Sequence, residues 1–401
     1  MIQAWDADGH IYESEETFSD KYWPSEFKDY RPRVIEVDDQ GTLMWFIDRR
    51  LFPVGTGPSQ KLGGSPASKG GVPSPSQRRK IHDPMESAEL RSAAARIAQL
   101  DSENVYMQIN YPTMLLSWPL GFSPGLGTAI ARSYNSWIAD ISSQAPDRLK
   151  WVTVIDPSDL KEAAKEIYRT KDLGSSGVMV WGITGNMHLD HPDYEQVWAA
   201  ANETGLPVAV HPGFTCPPMD DLYTTSNETL TVPFVFPVVM SFHKIIASGI
   251  LDKYPNLKVG FMETGCQWVP FMCERIEENS GAATRTTSAR DSNDYAVNQI
   301  IRGGYHAELE PEDYIKRGQV FVGFEVNERM IPHLIEEFGD ECWLYASDIP
   351  HAHRMYKAGD YFWNERKDVP EASKRKMLVD NTARFYGLQV PSSAHAEAAT
   401  R

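Results

Sequence analysis

The sequence predicts a (β/α)8 barrel, and three observations predict it. Short apolar runs, many of them β-branched, recur eight times along the 401 residues. Amphipathic stretches at helical spacing separate them. Where a doubly wound open sheet would place a Gly-rich phosphate turn after its first strand, this chain reads DADGH. Eight strands, each followed by a helix, are the barrel pattern.

The expected strands are 2–8 (IQAWDAD), 104–109 (NVYMQI), 150–155 (KWVTVI), 176–181 (SGVMVW), 206–211 (LPVAVH), 257–263 (LKVGFME), 319–324 (QVFVGF) and 342–347 (CWLYAS). The clearest helical stretches between them are 87–103, 159–173, 192–205, 268–279 and 328–339. One barrel is therefore expected over 1–390. Two segments interrupt the alternation. Residues 53–84 are rich in Gly, Pro and Ser and follow strand 1, so a lid is expected there. Residues 281–312 form a second insertion, and 391–401 read as a disordered tail.

Composition narrows the function classes. The net charge of −16 repels nucleic acid and anionic lipid, so neither is expected as a partner. A small anionic substrate stays compatible, because a metal ion dominates the field inside a pocket. Four cysteines without a CxxC pair read as reduced thiols of a cytoplasmic protein. The first residues, MIQAWDADGH, lack a leader pattern. No run approaches the roughly 18 apolar residues of a membrane span, so no membrane is expected either.

Chemistry concentrates at the strand ends. Side chains two apart on a strand share a face. Asp8 and His10 are therefore expected together at the end of strand 1, with Asp6 on the same face. Buried acid and imidazole need a partner, and a metal supplies one. A hydrogen-bonded Asp–His pair would explain this motif alone equally well. His211 closes the wholly apolar strand 5, and Asp348 follows strand 8 in LYASDIPH. Three strand ends thus aim His or Asp at one mouth, which favours a metal site.

The motifs DADGHIYE, LPVAVHPG, LKVGFMETGCQWVPFMCERIEE and LYASDIPH together resemble the amidohydrolase-2 family. That family includes the aminocarboxymuconate-semialdehyde, resorcylate and carboxyvanillate decarboxylases. The likeness runs from Asp6 to about Leu388. It implies a divalent metal (Zn, Mn or Fe) on Asp8, His10, His211 and Asp348, one ion per chain rather than two. It also implies a small-molecule substrate and a homodimer. Strand 6 departs from the family pattern: many decarboxylase relatives carry a His where this chain has Glu263. Glu263 is open to three roles, as general base, as partner of a ligand His or as an extra ligand. His243 is a candidate to compensate. Asp348 is also a candidate proton acceptor. Asp6 and Glu325 join Glu263 as possible extra ligands. His351 is expected to support the site and His353 to be solvated. Strand 4 has no lysine to bridge two metals. Among possible substrate contacts, Trp181, Trp268, Tyr345 and Phe214 read mainly as core, and Arg302, Arg78 and Arg79 as surface charge.

The leading expectation is hydrolysis or non-oxidative decarboxylation of a small carboxylate. One alternative is an iron- or manganese-dependent oxygenase with a dinuclear site on the same barrel. Another is a non-catalytic subunit with a structural metal, working beside a paralogous partner.

Overall fold

The computed structural model describes residues 2–52, 65–73, 83–118, 121–279 and 305–390. Most of the expected lid, including Arg78 and Arg79, lies outside these residues, as do 281–304 with Arg302 and the tail 391–401.

Eight parallel strands form one sheet in sequential order. They are β1 (Ala4–His10), β2 (Val105–Tyr111), β3 (Leu149–Val154) and β4 (Gly177–Trp181), then β5 (Val208–His211), β6 (Val259–Phe261), β7 (Val320–Phe324) and β8 (Trp343–Tyr345). Each coincides with an expected strand to within a few residues. The residues of β4, β5 and β7 are buried throughout, as strands covered on both faces must be. Burying each Val, Leu or Phe side chain contributes about 1.5–3 kcal/mol.

Helices α1 (Ala93–Ser102), α2 (Leu126–Ser142), α3 (Leu160–Asp172), α4 (Glu195–Thr204), α5 (Phe236–Ala247), α6 (Val269–Asn279), α7 (Ile331–Phe338) and α8 (Asn381–Tyr386) follow the strands in turn. Local chemistry sets their ends. Ser92 caps α1 and Asp159 caps α3 by accepting a backbone N–H, and Gly205 ends α4 in the left-handed conformation. The single helix expected over 87–103 is two: Met85–Ala88 and α1, broken at Leu90 (φ 47°). Ser92 wins there as an N-cap, and the buried Arg96 guanidinium takes the Ser87 carbonyl.

Two features differ from the sequence reading. An antiparallel sheet of Arg33–Glu36, Leu43–Ile47 and Arg50–Phe52 precedes the expected lid. Its middle strand alternates buried and half-buried residues, burying Leu43, Trp45 and Ile47. The absence of a membrane-length apolar run also needs correction. Helical segment Asn227–Ala247 is long and apolar enough by length and composition, and half of it is buried. Within it, Val238, Phe242, Ile245 and Ile246 of α5 pack into the core.

The barrel closes between β8 and β1 through loop bonds. His10 N–H donates to Ile349 O (2.6 Å), and Asp348 N–H to Asp8 O (3.2 Å). Closure therefore lies beside the residues singled out for chemistry.

Candidate metal centre

Asp8, His10, His211, Glu263 and Asp348 meet at the C-terminal mouth of the barrel. His10 Nε2 lies 3.5 Å from Asp8 Oδ1, 3.7 Å from Asp348 Oδ1 and 3.9 Å from Glu263 Oε2. His211 Nε2 lies 3.5 Å from Asp8 Oδ1 and 3.4 Å from Glu263 Oε2. Asp8, His10 and His211 form a closed floor. Glu263 and Asp348, with side chains 17% and 23% exposed, stand on the open side.

Both histidines are oriented by backbone carbonyls. His10 Nδ1 bonds Pro112 O (2.8 Å) and His211 Nδ1 bonds Pro212 O (2.9 Å). With those carbonyls accepting, the ring hydrogens sit on Nδ1, and each Nε2 lone pair faces the cluster. Yet among the described residues Asp8 Oδ1 and Oδ2, His10 Nε2, His211 Nε2 and Glu263 Oε2 have no hydrogen-bond partner, and Asp348 Oδ1 meets only the His351 ring. Buried polar atoms without partners are costly, and five of them converge here. Two overlapping groups, Asp8–His10–His211 and His10–Glu263–Asp348–His351, have the donor types and spacing to hold an ion. Oxygen and imidazole donors suit a divalent transition metal.

The electrostatics agree. Burial first, then the Asp348 and Asp6 carboxylates, push Asp8 well above the ordinary carboxylate range. Burial, then Asp348, does the same to Glu263. Burial holds His10 well below its usual value and lowers His211. A cation among them offsets the carboxylate repulsion and needs neutral imidazoles. The backbone is unusual at both open-side residues: Glu263 (φ 51°) and Asp348 (φ 55°) are left-handed without being glycine.

Asp6, a possible extra ligand, is placed elsewhere. The register of β1 against β2 slips between Asp6 and Gly9, so strict alternation fails. Asp6 accepts from Ser347 N–H (2.8 Å), Ser347 Oγ (2.5 Å), Gln108 Nε2 (2.8 Å) and Asp8 N–H (3.2 Å). Both its oxygens are occupied. A Cβ on Gly9 would fall 2.0 Å from Gln108 Nε2, so only glycine fits between Asp8 and His10. Gln108 in turn takes the Arg96 guanidinium, which also donates to His10 O.

Glu325 stands exposed at the rim, outside the donor cluster. Local burial, then Glu328 and Asp348, push its carboxyl up to about 7. His243 does not join the site: it is exposed on α5, where its charged neighbours are Lys244, Asp190 and His188. Seven residues into that helix, it faces outward rather than toward Glu263. His353 is exposed. His351 does reach the cluster, its Nδ1 2.5 Å from Asp348 Oδ1 and its ring stacked on His10 at 4.1 Å. Trp181 ends β4 fully buried, its indole donating to Leu116 O. Tyr345 is buried and accepts from Gly359 N–H. Trp268 packs on Phe242 and Phe261, and Phe214 on Phe234.

The sequence reading missed Glu13, Thr113 and Glu328. Glu13 accepts from the N–H groups of Thr113, Met114 and Leu115. Glu328 accepts from those of Cys266, Gln267 and Glu325. An acid three residues after His10 and a Pro-Thr turn ending β2 were the available signals. Tyr12, half-buried, places its ring against His351 at the mouth.

A family model described as amidohydrolase matches residues 125–388. Gamma-resorcylate decarboxylase of Polaromonas sp. is 23% identical over 270 residues, covering 64% of this chain and 76% of that protein. A crystal structure of an amidohydrolase from Mycobacterium avium subsp. paratuberculosis superposes with a TM-score of 0.70 at 18% identity, covering 97% of this chain and 99% of that one. 5-Carboxyvanillate decarboxylase of Novosphingobium aromaticivorans, solved with bound manganese and a nitrobenzoic acid, gives a TM-score of 0.60 at 23% identity, covering 73% and 80%. At these identities the superpositions establish a shared barrel fold.

Proposed function

The chain belongs to the amidohydrolase family, and from that premise we propose that it is a metal-dependent carboxy-lyase that removes CO2 from a small, aromatic hydroxy-carboxylate. The observation that carries the reading is the convergence of unpartnered Asp8, His10, His211 and Glu263 atoms beside Asp348 at the barrel mouth. The decarboxylase relatives supply the reaction class.

Asp8, His10, His211 and Asp348 would hold one divalent ion. When bound, the ion supplies Lewis-acid anchoring for substrate oxygens. The chain's own residues do the rest. The buried floor of Asp8, His10 and His211 excludes water from beneath the reacting group. Glu263, on the open side, is placed to hold and deliver a proton from Oε2. In the reaction, the bond from ring carbon to carboxylate breaks, its electron pair stays on the ring carbon, that carbon takes the proton, and CO2 leaves. The Glu263 carboxyl does the work that a strand-6 imidazole does in many relatives.

The test is CO2 release from 2,6-dihydroxybenzoate, 5-carboxyvanillate and related hydroxybenzoates, by protein loaded with Mn2+ or Zn2+ and by chelated protein. Metal-dependent release, lowered roughly 10^2–10^4-fold in Glu263→Gln, is expected. Hydrolysis of amides or esters without any CO2 release would overturn the carboxy-lyase reading.

A further inference from the structure

The turn after β2 contacts two imidazoles of the site in opposite ways. Pro112 O accepts from His10 Nδ1. One residue on, Thr113 Oγ1 lies 2.9 Å from His351 Nε2. His351 Nδ1 faces Asp348 Oδ1 at 2.5 Å. An ionised carboxylate only accepts, so the His351 ring hydrogen belongs on Nδ1. Nε2 then presents a lone pair, and the Thr113 hydroxyl is its donor. The turn is rigidly held, because the buried Glu13 carboxylate accepts from three consecutive backbone N–H groups, Thr113 to Leu115.

We propose that Thr113 is a positioning residue. Its hydroxyl donates to Nε2 of His351 and anchors the ring in the tautomer that Asp348 sets, and this ring then holds Asp348 Oδ1 toward the cation held with His10. The inference rests on the metal-centre reading above. Groups that orient a ligand in this way typically change metal affinity 10–100-fold when removed. His351 is well placed for the role. It stacks on His10, so it cannot swing away without disturbing a second ligand. A valine at 113 keeps the shape and loses the donor, whereas a serine keeps the donor.

The experiment uses full-length native protein, Thr113→Val and Thr113→Ser. Ring-15N histidine NMR on the Zn2+-loaded and chelated forms reads the tautomer, and the His351 signal is assigned by its loss in His351→Gln. Competition with a chromogenic chelator reads Zn2+ affinity. The expected result is an Nδ1–H tautomer in native protein and Thr113→Ser. Thr113→Val is expected to keep that tautomer, which the Asp348 carboxylate sets, and to bind Zn2+ roughly 10-fold more weakly, with serine restoring the affinity. An Nε2–H tautomer in native protein, or a Thr113→Val variant that keeps native affinity, would overturn the proposal. Native protein that binds no Zn2+ would overturn the metal-centre reading. An Nε2–H tautomer in chelated protein would still overturn the part given to Thr113.

Discussion

Two sets of carboxylates share the top of this barrel and behave oppositely. Asp6, Glu13 and Glu328 are buried, and each accepts three or more hydrogen bonds from neighbouring loops and strands. Asp8 and Glu263 keep oxygens that none of the described residues satisfies, and Asp348 beside them meets only the His351 ring. The first set ties loops together: Asp6 joins β1 to the end of β8, Glu13 holds the turn after β2, and Glu328 joins the turns after β6 and β7. The second set is arranged for something the chain does not itself provide. A buried acid with its bonds made is architecture, and one left unpaired among imidazoles is a binding site.

The comparison is broken most directly by removing an imidazole that faces the second set. His211→Ala is expected to abolish bound metal, read by elemental mass spectrometry, and with it the metal-dependent activity. Retention of a full equivalent of metal would show that the unpaired atoms serve another purpose.

A second prediction sets one member of each set against the other. Asp6→Ala strands the Ser347 and Gln108 donors in the core and is expected to cost about 3 kcal/mol in denaturant unfolding, with or without metal. Asp8→Asn removes an uncompensated buried charge. It is expected to stabilise the chelated protein, by on the order of 1–3 kcal/mol, while weakening metal binding. Equal destabilisation by both substitutions in chelated protein would erase the distinction.

The smallest effect sharpens the comparison through pH. Burial pushes Glu13 up to about 7 despite its three backbone donors. An acid whose folded value is raised binds its proton more readily in the folded state, so it costs stability as pH rises from its unfolded value of 4.5 through 7. Glu13→Gln lacks this loss. Its stability relative to native protein is therefore expected to improve across that window, by about 3 kcal/mol at most. A difference that stays flat with pH, measured by urea unfolding at several pH values, would show that Glu13 is ionised throughout.

Much of this arrangement was legible along the chain. All eight barrel strands showed as apolar runs, because strands covered on both faces have no polar side to confuse the pattern. The candidate ligands at the ends of β1, β5 and β8 were visible for the same reason: His211 and Asp348 interrupt apolar runs at the point where the barrel opens. The antiparallel sheet at 33–52 was not read. Its signal is one short alternating strand, Leu43–Ile47, flanked by weaker ones.

By itself the sequence determined the barrel, its strand order and which residue types reach its mouth, since these follow from periodicity and from where polar residues end apolar runs. Only the tertiary structure decided what each polar residue does there. A register slip in β1 turns Asp6 into a brace and leaves Asp8 a ligand candidate. The facing of α5 takes His243 out of the site. Glu13 and Thr113 enter it through a turn about one hundred residues away from Glu13. Hydrogen bonds between elements far apart in sequence set these roles, and such bonds leave no periodic trace in the chain.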